Sequence, residues 1–487
     1  MSSTGKKILG KVFICQQDNR LQLVEIEFDN IIRSIRPLMN GSVSWNDVKT
    51  EAGRKNFTVQ LPAISPGHIN GNCLLAIPGT IDAHVHFNTP GFEHRDDFEH
   101  GSAAAAAGGV TTVIDMPCTS VPPVTSADNL KIKQKTLENR SLVDFALWGG
   151  ISGNTFNGEF SAEKIITELA DAGAAGFKAY IISGMESFPD LTYDQMIQAA
   201  RFVRNTGRLL AVHAEDKIRV KSREEEFRKQ GRDNWQAYTE MRDVEAERVA
   251  VRQLVEICHR SGCRIHIVHL SSGKAVEIVR QARKEGLPFS AETCPHYLYF
   301  TEKDFERSEI RAFLKTAPPV KSEKDRKMLW DALVDGTLDF VTTDHAGCNP
   351  EVEKNSEKFS EVYGGIPGVE HRVPFLFSEG FHKNRLTLQR TIELLAENPA
   401  RSFGLSSRKG FLKKGMDADL VLINLWSQEK ITAEKMHSKG KYTPFEGYSL
   451  TARVEQTFLR GRQLLGNDGE PLPEYGYGEW IKPVPTV

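Results

Sequence analysis

The chain has 487 residues, 40% hydrophobic and 26% charged, a balance that suits a folded globular protein and excludes a disordered one. Its 62 basic and 64 acidic residues leave a formal net charge of -2, which removes the electrostatic case for nucleic acid as a partner. No apolar run approaches the roughly 20 residues that a membrane helix needs, so no membrane association is expected.

The opening MSSTGKKILGKVFIC lacks the apolar core and small-residue cleavage site of a secretory signal. Seven cysteines without a CxxC pair argue against a disulfide framework, and the expected compartment is the cytoplasm. KKILGKVFIC and LQLVEIEFDNIIRSIRPL read as short strands with a turn at Asp29-Asn30, and a polar loop is expected from about Asn40 to Asn56. From Leu74 the texture changes to apolar runs alternating with amphipathic helical stretches. The strand candidates are LLAIPGTIDAHVHF, VTTVIDMP, VDFALWGGIS, AAGFKAYII, RLLAVHAE, CRIHIVHLS, LPFSAETCPHYLYF and LDFVTTDHA. Helical patterns such as SAEKIITELADAG, TYDQMIQAARFVRNTG and EAERVAVRQLVEICHRSG lie between them.

This alternation predicts a parallel sheet. Eight candidates over roughly 270 residues suit a (β/α)₈ barrel, although a doubly wound sheet has the same periodicity. After Leu405 short strands return in DADLVLINL and ARVEQTFLRGRQLL. The expected fold is therefore α/β: a TIM-like (β/α)₈ barrel over 76–404 and a small β-sandwich assembled from both termini, 1–75 and 405–487.

Chemistry-bearing residues gather at the C-terminal ends of these strands, where a barrel places its active site. His84 and His86 stand at i and i+2, on one face of a strand, so both can reach one ion. His213 and His269 each end a predicted strand, and Asp344 follows another. Each of these alone reads as a hydrogen-bonded structural histidine, a helix cap or a turn former. Lys178 is different, because an ammonium inside the apolar run AAGFKAYII is costly to bury. It is either a snorkelling side chain or an amine of depressed pKa, able to take up carbon dioxide as a carbamate. Gly273-Lys274 lacks the glycine spacing of a phosphate loop, and the stretch reads better as a helix capped by Ser271 or Ser272. His296 and His345 read as groups that orient ligands, not as ligands themselves.

The strings PGTIDAHVHF, AAAAAGGVTTVIDMP, AAGFKAY, VHAED, VHLSS, AETCPHYLYF, TTDHAGC, GGIPGVEHR and GMDADLVL resemble the amidohydrolase superfamily, in particular its cyclic amidase branch. That branch holds allantoinases, dihydropyrimidinases or hydantoinases, and dihydroorotases. The resemblance implies two divalent metal ions, zinc by default with manganese, cobalt or iron open. His84, His86 and Asp344 would bind one, His213 and His269 the other, with carboxylated Lys178 bridging them. It implies hydrolytic opening of a ring amide, with Asp344 taking a proton from the nucleophile and returning it to the leaving nitrogen. A homo-oligomer, a tetramer in many relatives, is implied by the same analogy.

For the substrate, Asn88, Cys118 and Cys348 replace the three residues by which dihydroorotases hold a carboxylate. Gly364 and Ala317 depart from the hydantoinase pattern, whereas Glu370-His371-Arg372 leans towards it. HVHFN followed by PG, ETCPHYLYF, DHAGC and SGMESFPDLT resemble allantoinases, and TPGFEHRDDFEHG departs from their usual string there. The expected substrate is a small cyclic amide or ureide, allantoin first and a dihydropyrimidine, hydantoin or dihydroorotate as the alternative. Asn88, Ser183 and Gly184 are the expected pocket residues. A non-catalytic scaffold relative would be expected to lack several of the six ligands; this chain keeps all six.

Overall fold

A computed structural model describes residues 6–50, 68–70 and 73–485. Eight parallel strands build the barrel: β1 (Thr80–His86), β2 (Val110–Asp115), β3 (Asp144–Leu147), β4 (Phe177–Tyr180), β5 (Leu210–His213), β6 (Ile265–Ile267), β7 (Phe289–Thr293) and β8 (Phe340–Val341). Neighbours in sequence pair in parallel, β1 to β3 and β4 to β8. Two short connectors complete the ring. Gly149–Gly150, just after β3, pairs with β4, and His345–Ala346, just after β8, pairs with the end of β1. Strand order never reverses, so the doubly wound alternative falls.

The intervening helices start and stop where side-chain chemistry dictates. Ser161, Thr192 and Asp243 cap Ala162–Ala172, Tyr193–Asn205 and Val244–Ser261 by accepting from backbone N–H groups of the first turn. Gly173 and Gly262 end the first and last of these at φ 115° and 65°, which a side chain would resist. Alternation along the strands then decides what faces the barrel interior. Phe177, Ala179, Leu210 and Val212 join the apolar cluster that contains the helix residues Leu169, Ala199 and Val203. Lys178, Tyr180, Ala211 and His213 consequently point the other way, into the barrel.

At the β1–β8 seam a side chain substitutes for much of the backbone ladder. Buried Arg372 donates to Ile81 O and Val341 O at 2.8 Å each and to Thr80 Oγ1 at 3.1 Å. Its Nε lies 3.8 Å from Asp82, which in turn accepts from Thr343 Oγ1 at 2.7 Å.

Both ends of the chain meet in one nine-stranded sheet, which includes Lys7–Gln17, Arg20–Phe28, Ile32–Pro37 and Leu75–Pro78 from one end and Leu420–Asn424 and Arg453–Leu459 from the other. Leu420 and Leu422 pack with Leu9, Val12, Val24 and Ile26, while Val421 and Ile423 join the main core, the period-two pattern of a sheet buried on both faces. A buried ionic cluster ties this sandwich to the barrel: Lys409 meets Asp144, Asp417 and Asp419 at 2.5, 2.9 and 2.7 Å.

Two segments differ from the sequence expectation. Within the expected loop, Trp45–Val48 is helical because Ser44 and Asp47 form a reciprocal capping box; 51–56 lie outside the described residues. LPFSAETCPHYLYF is a strand only to Thr293, since Pro295 favours a first helical turn and Pro295–Tyr299 is a helix. Among the described residues no helix is long and apolar enough to cross a membrane.

Replacing Arg372 with Met strips the seam of its fork and leaves Asp82 buried without its cation. The expected cost is about 3–5 kcal/mol, read as a lowered urea midpoint. Arg372→Lys recovers little of it, because one ammonium cannot reproduce the guanidinium fork.

Candidate active site

The residues singled out in the sequence converge at the C-terminal mouth of the barrel. His84 and His86 end β1, Lys178 lies in β4, His213 ends β5, His269 follows β6 and Asp344 follows β8. Facing ligand atoms of His84, His86 and Asp344 lie within 4.8 Å of one another. His84 Nε2 is 3.1 Å and His86 Nε2 3.3 Å from the same oxygen, Asp344 Oδ1. On the other side His213 Nδ1 and His269 Nε2 are 3.0 Å apart. The ring centroids of His84 and His269 are 5.5 Å apart, so the two groups are contiguous.

Several side chains hold these rings from behind. Glu292 accepts from His84 Nδ1 at 2.6 Å and meets His266 Nε2 at 3.2 Å. Glu215 meets His213 Nε2 at 2.9 Å and is itself held by Arg242. His86 Nδ1 faces Thr119 Oγ1 at 3.1 Å. Asp115 on β2 accepts from Phe87 N at 2.8 Å, which fixes the backbone just past His86. With the outward nitrogens of His84 and His213 engaged by carboxylates, their inward nitrogens present lone pairs to the site. Lone pairs facing one another and facing Asp344 call for positive charge between them, which a divalent cation in each group would supply. The donor set of imidazole and carboxylate fits zinc or a similar ion.

Electrostatics point the same way. Burial opposes charge on Asp344, but His84 and His86 outweigh it and hold the carboxyl well below the usual carboxylate range. Burial, followed by His213, pushes His269 well below the ordinary imidazole value. Lys178 is fully buried and its Nζ has no hydrogen-bond partner; the Tyr180 ring lies 4.9 Å away. Burial lowers its pKa to about 8. An amine in this setting is primed to be modified or to meet an ion. His269 and Asp344 also adopt left-handed backbone, φ 40° and 49°, a strained conformation of the kind found at functional sites.

The expected pocket residues fare differently. Asn88, two residues past His86, is fully buried, and both polar atoms of its amide lack a partner. Ser183 and Gly184 lie in the loop after β4. The Ser183 hydroxyl donates to Phe188 O at 2.7 Å and accepts from Met185 N at 3.1 Å, so any contact it makes to a ligand falls to its backbone. Gly184 is exposed, with open space where a side chain would stand.

Sequence reasoning missed Asp82, Asp115, Glu215 and Glu292. Asp82, two residues before His84, and Glu215, two residues past His213, each carried a local cue, because residues two apart on a strand share its face. His345 proves structural: its Nε2 meets Asp96 at 3.1 Å and its Nδ1 accepts from Val369 N at 3.2 Å.

The model of the Amidohydrolase family matches residues 75–464. An allantoinase of Bacillus velezensis is 34% identical over 477 residues, covering 94% of this chain and 98% of the relative. An L-hydantoinase of Paenarthrobacter aurescens is 31% identical, covering 93% of this chain and 98% of the relative. The solved L-hydantoinase (dihydropyrimidinase) from Arthrobacter aurescens superposes with a TM-score of 0.86 at 28% identity, over 98% of this chain and 99% of that one.

Removing the Glu292 carboxylate frees the His84 ring to turn. Glu292→Ala is expected to weaken divalent-metal binding by about 10–100-fold, measured by titration against a chelator of known affinity.

Proposed function

The chain belongs to the amidohydrolase family, and on that premise we propose that it hydrolyses a cyclic ureide, opening allantoin to allantoate. One observation carries the reading: four imidazoles, one carboxylate and an unpartnered buried lysine converge at the C-terminal mouth of one barrel. The allantoinase relatives, similar over nearly their whole length, favour allantoin as the ring. The L-hydantoinase relative and the hydantoinase fold neighbours favour a hydantoin or dihydropyrimidine as the second reading.

In this reading His84, His86 and Asp344 hold one divalent ion and His213 and His269 hold a second. Lys178 would complete this set of ligands as a carbamate, formed when its neutral amine adds carbon dioxide with an N–C bond made and one proton released. Metal ions held by these residues, zinc by donor type, would supply Lewis acidity towards the ring carbonyl and towards water. Asp344 receives the proton that the attacking water loses and delivers it to the ring nitrogen as the amide C–N bond breaks. The carbonyl carbon becomes a carboxylic acid, which gives its remaining proton to solvent, and the nitrogen becomes part of an open ureido group on the same product. Glu292 and Glu215 keep the imidazoles turned inward through the cycle, and the engaged Ser183 hydroxyl leaves the rim to backbone groups.

The reading is tested by turnover of allantoin, hydantoin, dihydrouracil and dihydroorotate by the metal-loaded protein. Allantoin is expected to have the highest kcat/KM and dihydroorotate the lowest; preference for dihydroorotate would contradict the assignment. Lys178→Ala is expected to lose more activity than the about 100-fold that an orienting residue costs, and to release metal. Wild-type turnover with full metal content in this variant would remove the carbamate bridge from the scheme.

A further inference from the structure

Two buried histidines beside the site have both ring nitrogens met by the protein itself. His266 uses both ring nitrogens, on Ser290 at 2.8 Å and on Glu292 at 3.2 Å. His345 does the same with Asp96 and Val369. His296, in the short helix that follows β7, does not. Its side chain is 2% exposed, and its Nε2 is buried without a partner. This helix follows directly on β7 at the C-terminal mouth of the barrel, and the charges of Asp344 and His84 act on the ring. Asn88, fully buried, leaves both atoms of its amide unmet at the end of β1, with its backbone anchored by Phe92 N at 2.9 Å.

A buried donor or acceptor without a partner is destabilising, and such groups are rare in folded chains. Two of them at the mouth of one barrel, beside the same ligand cluster, indicate a partner that arrives from outside. The two side chains bear an amide and an imidazole, which donate and accept hydrogen bonds and offer no formal charge to a ring carboxylate. Their complement is a neutral ring that presents an N–H beside a C=O.

We infer that His296 is a substrate-contacting, specificity-determining residue that acts with Asn88 to take the N–H and C=O groups of an uncharged cyclic ureide. The inference rests on the ring-opening reading above and extends it to a residue that the ligand set does not include. His296 orients no metal ligand in this assignment; it touches the substrate itself. Sites built to hydrogen-bond a substrate discriminate steeply against molecules that leave the bonding group unmet.

The test compares metal-loaded wild type with His296→Ala and His296→Gln, measuring metal content, melting temperature, and kcat and KM for allantoin. Both variants are expected to keep the full metal complement. His296→Ala is expected to lose about 10–100-fold in kcat/KM, and His296→Gln, whose amide can reach the same place, to recover part of the loss. A kcat/KM within twofold of wild type in His296→Ala, or loss of metal from both variants, would overturn the inference while leaving the ring-opening reading intact. Absence of turnover on every ring by the metal-loaded wild type would overturn both, and that result comes from the wild-type arm alone.

Discussion

An amine sealed inside a barrel, with no hydrogen bond to satisfy it, is the constraint on which the rest of the site depends. Lys178 is held in β4 with its flanking Phe177 and Ala179 locked into the outer apolar cluster, so its side chain cannot turn away from the interior. Cys118, Asp344, Glu292 and Cys294 are near enough for their charges to act on it and the Tyr180 ring is 4.9 Å away, yet none accepts a hydrogen bond from Nζ. A charged ammonium is disfavoured there by burial, and a bare amine leaves facing lone pairs on the imidazoles unanswered. An anionic bridge between two cations meets both demands at once. That is the physical reason for reading the six residues as one centre.

Such a centre works only if its parts stay in register, and the barrel supplies this through carboxylates behind the ligands. Glu292 links β7 to His84 on β1, Asp115 links β2 to the backbone after His86, and Asp82 links β1 to Thr343 next to Asp344. Arg372 closes the seam between β1 and β8, the two strands whose C-terminal ends position His84, His86 and Asp344. Stability and function thereby share residues. The left-handed backbone at His269 and Asp344 is tolerable because both sit between firmly packed strands.

Much of this was legible in the sequence, and the rest was hidden for definable reasons. The HxH pair announces itself because period-two spacing on a strand has a direct meaning, and Lys178 stands out against AAGFKAYII. His213, His269 and Asp344 gain their meaning from a shared position at strand ends. Glu292 was invisible, since its partner lies 208 residues away and a glutamate in FSAET has no spacing that marks it. Arg372 was noticed as part of a string, but nothing local reveals that its guanidinium replaces ladder hydrogen bonds. Asn88 stands out as a pocket candidate, but the sequence could not show that its amide is buried with both atoms unmet. The helix at Trp45–Val48 was missed because four residues are too few for periodicity to register.

The central claim is a two-metal centre bridged through Lys178, and it is tested most directly by a crystal structure of the metal-loaded protein, with anomalous scattering recorded at the metal edge. The account predicts two peaks, one among His84, His86 and Asp344 and one between His213 and His269, with carbamate density extending from Lys178 Nζ to both. A free lysine side chain with no anomalous peak at these residues, or peaks only elsewhere in the molecule, would contradict it.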